Sequence, residues 1–108
     1  MNTVTLVGRL TRDPEAQQFE KEGEYTSLAK LRLAVDRSRS DGTDFFDVTA
    51  FGNLGALAVD HLTKGRLVGV VGRLRSSEWT TDDGTKRHRV EVVADDIRFL
   101  DRPKTNGE

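Results

Sequence analysis

The sequence predicts an all-β protein: a five-stranded Greek-key barrel with one short helix between strands three and four. Three observations carry that expectation. Runs of alternating apolar and polar residues recur along the chain, turn chemistry joins them into hairpins, and one stretch at helical spacing follows the third run. At 108 residues the chain has room for one domain with a modest core, expected over residues 1–100, and for a polar tail, 101–108.

Thr3 to Leu10 mixes β-branched and aliphatic residues, sets Val4 and Leu6 on one parity, and stops before the turn-like Asp13-Pro14. It reads as strand one. From Ser27 to Arg37 the alternation is clean, with Ala29, Leu31, Leu33 and Val35 on one face and Lys30, Arg32 and Ala34 on the other. Ser40-Asp41-Gly42-Thr43 carries turn chemistry, so the next alternating run, Phe45 to Phe51, makes the second arm of a hairpin.

Asn53 is suited to cap a helix in which Leu54, Leu57, Ala58 and Leu62 recur at helical spacing, and Gly65 is suited to end it. Leu67 to Trp79 and Lys86 to Val93 read as a second hairpin around Thr81-Asp82-Asp83-Gly84-Thr85, and Ile97-Arg98-Phe99-Leu100 as a last apolar piece. Gly8, Gly65 and Gly72 are too scattered for a phosphate loop and read as bends in a coiled sheet. Strand, hairpin, helix, hairpin is the order of an OB-fold barrel, and other small barrels share it. The tail from Asp101 to Glu108 lacks bulky apolar residues and is expected to be disordered.

Composition narrows the function. With no cysteine the chain has no disulfide, thiol nucleophile or thiolate zinc site. His61 and His88 read as packing or surface residues rather than metal ligands. The start Met1-Asn2-Thr3-Val4 lacks the pattern of a signal peptide, and no run of about 18 apolar residues is present, so a cytoplasmic protein without a membrane span is expected. The acid pairs Asp82-Asp83 and Asp95-Asp96 have no suitably spaced histidine or lysine, which argues against an enzyme.

Net charge is −1, unlike the basic balance of many nucleic-acid binders. The distribution says more than the total. Acidic residues crowd segments read as loops or ends (Asp13 to Glu24, Asp82-Asp83, Asp95 to Asp101), while the strand-like segments are mostly basic, holding Lys30, Arg32, Arg73 and Arg75, with Asp47 and Glu91 as the exceptions.

With Phe46, Val48 and Ala50 turned to the core, Phe45, Asp47, Thr49 and Phe51 point away from it. Trp79 shares parity with Arg73, Arg75 and Ser77. Outward aromatics beside basic side chains suit single-stranded nucleic acid, because every base has a π-face and every nucleotide a phosphate. The plainer readings are a second apolar face against a partner subunit for Phe45 and Phe51, and an ordinary solvated strand face for the arginines.

The chain resembles the bacterial single-stranded DNA-binding protein family in motifs spread from Asn2 to Leu100. These are NTVTLVGRLTRDPE from Asn2, LRLAVDR from Leu31, DFFDVTAFGNLGALAVDHLTKGRLVGVVGRL from Asp44 and WTTDDGTKR from Trp79. The resemblance implies an OB fold and a homotetramer, often a dimer of dimers. It also implies sequence-independent wrapping of single-stranded DNA in replication, recombination and repair, with no metal or nucleotide cofactor. By position it makes Phe45, Phe51 and Trp79 stacking residues and Lys64, Arg75 and Arg87 basic contacts; Arg39 stands where some members carry a further tryptophan, which a guanidinium plane replaces in stacking. With Arg73 from the parity reading, these residues are the expected DNA site.

Asp47, Asn53 and Glu78 are less positive than the family pattern. Family members usually continue through a linker to an acidic, phenylalanine-bearing tip that recruits other enzymes, whereas this sequence ends at Thr105-Asn106-Gly107-Glu108. The expectation is either a short paralogue or a DNA-binding core, without recruitment through such a tip. A replication-accessory barrel working mainly through protein contacts is the second reading, and an RNA-binding barrel the third.

Overall fold

Leu31, Leu33 and Val48 occupy alternate strand positions and are essentially fully buried, so the period-two pattern sets which side of the sheet becomes the interior. The computed structural model describes residues 1–102 of the chain. Its elements are β1 (Val4–Leu10), β2 (Glu15–Lys21), β3 (Glu24–Asp36), β4 (Thr43–Phe51), α1 (Gly52–His61), β5 (Leu67–Thr80) and β6 (Lys86–Phe99).

Pairing runs β1-β5-β6-β4-β3, and β1 also pairs with β3 through Arg9 opposite Ala34 and Leu10 opposite Leu33, which closes five strands into a ring. All contacts in the ring are antiparallel except β4 with β6, where Val48 and Thr49 lie beside Val92 and Val93. The interior holds Leu10, Leu31, Leu33, Val48, Val68, Val70 and Val92, with Ala58 and Leu62 added from the helix end of the ring. The five-stranded Greek-key barrel read from the sequence is therefore present, with its helix after the strand Thr43–Phe51.

A sixth strand stands outside the ring. Glu15–Lys21 was expected to be an acidic loop, yet it pairs residue by residue with the first half of β3, from Glu15 opposite Lys30 to Lys21 opposite Glu24. The turn between them is Glu22-Gly23, with φ of 54° and 82°, the positive pair that a tight type I′ hairpin needs. Every residue of β2 is exposed. A strand that covers no core needs no apolar alternation, so EAQQFEK carries no strand signal beyond its place beside the turn.

Four further expectations are corrected. Lys86 to Leu100 was divided into two pieces around an acidic loop, but β6 is one strand through Phe99; Val71 opposes Asp96 and Gly72 opposes Ala94, leaving Asp95 as the extra residue of a bulge. Asn53 lies inside α1 rather than capping it, since Phe51 is the N-cap and makes no side-chain cap bond. The helix ends at an extended Leu62, and Gly65, with φ of 91°, turns the chain further on. Leu57, expected on the apolar stripe, is exposed, and the contact is made instead by Gly55 and Ala58.

Two glycines mark closure points. A Cβ on Gly8 would run into the Ala34 carbonyl at the β1–β3 seam, and one on Gly72 into the Val93 carbonyl at the bulge. At its start the chain is pinned by Asn2, whose amide donates to the Leu74 carbonyl at 2.7 Å and accepts from the Leu74 N–H at 2.8 Å. At the other end, buried Arg66 holds Asp101 through Nε at 2.8 Å and its carbonyl through Nη2 at 3.0 Å. Of the tail expected to be disordered, residues 103–108 lie outside the described residues.

Gly55→Ala tests the helix seat. In an open helix the change gains about 0.5–1 kcal/mol, but here the new Cβ meets the Ala50 carbonyl and the Ala29 N–H. A net loss of more than about 1 kcal/mol is expected in urea unfolding; a gain would show that α1 has slack against β3 and β4.

Candidate nucleic-acid interface

Because Phe46, Val48 and Ala50 turn inward, β4 presents Phe45, Asp47, Thr49 and Phe51 on its outer side. Register then fixes their neighbours. Arg32 of β3 lies opposite Asp47, Lys30 opposite Thr49, and on the adjoining ribbon Arg75 of β5 opposes Glu91 of β6.

The result is two layered groups. In the first, the Arg32 guanidinium sits 5.2 Å from the centroid of the Phe45 ring, and its Nη1 donates to Asp47 at 3.1 Å. Arg89 of β6 reaches the other Asp47 oxygen at 3.7 Å. In the second, the Arg75 guanidinium sits 5.5 Å from the centroid of half-buried Phe51 and is hydrogen-bonded to Glu91. Each ring thus has a cation over it, held there by a carboxylate.

Glu91 is the buried centre of this surface, 7% exposed. The Thr49 hydroxyl donates to it at 2.7 Å, and the Lys30 ammonium lies 2.9 Å from Thr49 Oγ1 and 3.4 Å from the carboxylate. Burial acts to raise the Glu91 carboxyl, but the bonds from Thr49 and Arg75 and the charges of Lys30 and Arg75 outweigh it and bring it to about 2. It is an ionised anchor.

Beyond Arg73 the β5–β6 hairpin is exposed on both faces until Glu91, so it stands off the barrel as a two-stranded ribbon. Near its tip Trp79, 48% exposed, lies opposite Arg87 and lines a cleft with Lys86 and Arg87. The bulge at Asp95 precedes Arg73 in the ladder, so Arg73, Arg75, Ser77 and Trp79 keep one parity. The turn is set by Asp83, which accepts from the Thr81 hydroxyl and the Thr85 N–H; these bonds lower its carboxyl to about 2.

The expected DNA residues are therefore only partly gathered. Phe45, Phe51, Arg75, Trp79, Arg87 and Arg73 share the outer face of β4 and the ribbon, with Arg73 paired to Asp95. Arg39 lies in the exposed loop between β3 and β4, which Arg37 braces by bonding to Asp44 at 2.8 Å. Lys64 is elsewhere, lining a groove after α1 with Arg9, Arg66 and Asp101. Among the described residues, Arg39, Lys64 and Arg87 have no carboxylate at ion-pair distance.

Lys30, Arg32, Thr49, Arg89 and Glu91 complete the surface and were absent from the expected site. Alternation had put Lys30 and Arg32 on the outer side. Which carboxylate each meets depends on strand register. Among the described residues no group of three or more His, Asp or Glu side chains is arranged to hold a metal ion. Among them, too, no helix is long and apolar enough to cross a membrane.

A sequence model of the single-strand binding protein family matches residues 1–100. The chain belongs to that family. It is 43% identical over 108 residues to a single-stranded DNA-binding protein of Thermotoga maritima, covering 94% of this chain and 74% of that protein. It is 39% identical over 102 residues to one of Clostridium perfringens, covering 94% of this chain and 67% of that protein. Similarity to single-stranded DNA-binding protein 1 of Clostridium acetobutylicum, 32% over 109 residues, covers 96% of this chain and 97% of that one. The OB fold of the single-strand binding family accounts for the closed ring with its helix after β4.

Glu91 yields a pH test. Its carboxyl is lowered from 4.5 to about 2 in the folded chain, so its stabilisation is fully present above pH 4.5 and is lost as pH falls from 4.5 towards 2. Glu91→Gln should lose about 1–3 kcal/mol at pH 7 and decline less steeply through that window in urea melts. A wild-type slope in the variant would remove Glu91 from its anchoring role.

Proposed function

We propose that the chain binds single-stranded DNA irrespective of base sequence, serving replication, recombination and repair, with residues 1–100 as the binding unit. The observation that carries this reading is the shared outer face of Phe45, Phe51 and Trp79 in a member of the single-strand binding family. Bases stack on these rings. Phosphates meet Arg87, Arg39 and Lys64 without breaking an internal ion pair, whereas Arg73 and Arg75 exchange a carboxylate for a phosphate. The chain works by binding rather than catalysis, in the cytoplasm.

Stacking is worth about 1–3 kcal/mol per base and tolerates any base, while phosphate contacts add a salt-dependent share. The internal pairing of Arg32, Arg73, Arg75 and Arg89 reduces that second share. Assembly into a homotetramer, as a dimer of dimers, is part of the proposal; exposed Val7 and Val71 on the outer side of β1 and β5 support a contact between copies. The formal charge of −1 and the paired arginines favour a protein-contact accessory subunit as the second reading.

Oligo(dT) at low salt is expected to quench Trp79, the sole tryptophan, with duplex DNA as the control. Unchanged fluorescence together with no complex on a native gel would sink the proposal. Phe51→Ala should weaken binding by about 1–3 kcal/mol; the accessory reading predicts little change.

Asp47→Asn releases Arg32 and Arg89 from their shared carboxylate. Affinity at low salt should rise, and the slope of log K against log salt should steepen by up to about 0.7 per added phosphate contact. An unchanged slope would mean that neither arginine reaches a phosphate.

A further inference from the structure

Phe19 is a large aromatic on a strand that helps to build no core, and it is 44% exposed. Its face follows from the register. Phe51 lies opposite Leu28, Leu28 lies opposite Gln17, and Phe19 lies opposite Thr26, two residues on from the Gln17–Leu28 pair on both strands. Directly opposed residues project to the same side of a sheet, and both ladders run without a register shift. Phe19 is therefore on the outer face that carries Phe51, with nearly buried Leu28 between them.

Strand spacing puts Phe19 two strands across and two residues along from Phe51, roughly 12 Å away. Tyr25, the other exposed aromatic of this hairpin, lies opposite Glu20 and takes the reverse face. On its own face Phe19 sits between Gln17 and Lys21, with Thr26 across the ladder. The charged residues of that face are Glu15, Lys21, Glu24 and Lys30, which balance. Such a surface offers a ring to a base but little net attraction to phosphate.

We propose that Phe19 is a fourth base-stacking platform, which extends the single-stranded DNA path from Phe51 over Leu28 onto β2, outside the barrel. The proposal rests on the reading of the β4 face as the DNA site. It is continuous with that face, and its contribution comes from stacking alone.

The test uses the full chain and oligo(dT) of increasing length, read by Trp79 fluorescence. Phe19→Ala should bind the shortest oligonucleotides as the wild type does and lose roughly tenfold in affinity for the longer ones, with an unchanged salt slope. Phe19 lies outside the core cluster, so the unfolding midpoint should stay at the wild-type value. Full affinity of Phe19→Ala at every length, while Phe51→Ala weakens binding, overturns the Phe19 platform and leaves the DNA reading standing. Full affinity in both variants overturns both.

A second measurement places the only tryptophan at the platform, in Phe19→Trp combined with Trp79→Phe. Quenching on adding long oligo(dT) supports the proposal. Fluorescence that follows protein concentration and ignores oligo(dT) overturns it, because position 19 is then covered by another copy of the chain.

Discussion

Closure of the sheet at the β1–β3 seam is the constraint on which the rest of the structure depends. The Arg9–Ala34 and Leu10–Leu33 pairs join strands that would otherwise be the two edges of an open five-stranded sheet, and Gly8 lets them approach. Once the ring is closed, every strand has one side inside and one outside. The inner sides must then be apolar, as those of Leu31, Leu33, Val48, Val68, Val70 and Val92 are, because the enclosed space is filled by side chains alone.

The outer sides are released from that demand, and chemistry collects there. Phe45 and Phe51 are not pressed into a core; each is faced by a guanidinium instead. Carboxylates on β4 and β6 keep those guanidiniums in place, at the cost of neutralising them. The charge balance of −1 has this local counterpart: acidic residues are not confined to loops, since Asp47, Glu91 and Asp95 stand in strands as partners of Arg32, Arg75 and Arg73.

Two hairpins flank the barrel face and differ in how they leave the ring. The β5–β6 ribbon continues barrel strands past the point where they cover a core, so its alternation persists and leads to Trp79. The β2–β3 hairpin adds a strand that never belonged to the ring, held by backbone pairing and a positive-φ turn. The first was legible from parity. The second was not, because EAQQFEK is mostly polar on both sides and its one bulky apolar residue, Phe19, reads as an isolated residue.

The sequence alone determined the barrel class, the inner and outer sides of β3 and β4, and the outward place of Phe45, Phe51 and Trp79. The barrel class follows from alternation together with turn chemistry and one helical stretch, and the rest from alternation alone, which is local along a strand and is enforced wherever one side is buried. Tertiary structure decided what alternation does not encode: the extra strand β2, the bulge that makes β6 continuous, the helix cap, the separation of Lys64 from the aromatic face, and the carboxylate that each arginine meets. Those depend on register between strands far apart in the chain. Glu91 joins Lys30 and Arg75 only because β6 lies between β4 and β5 in the closed ring.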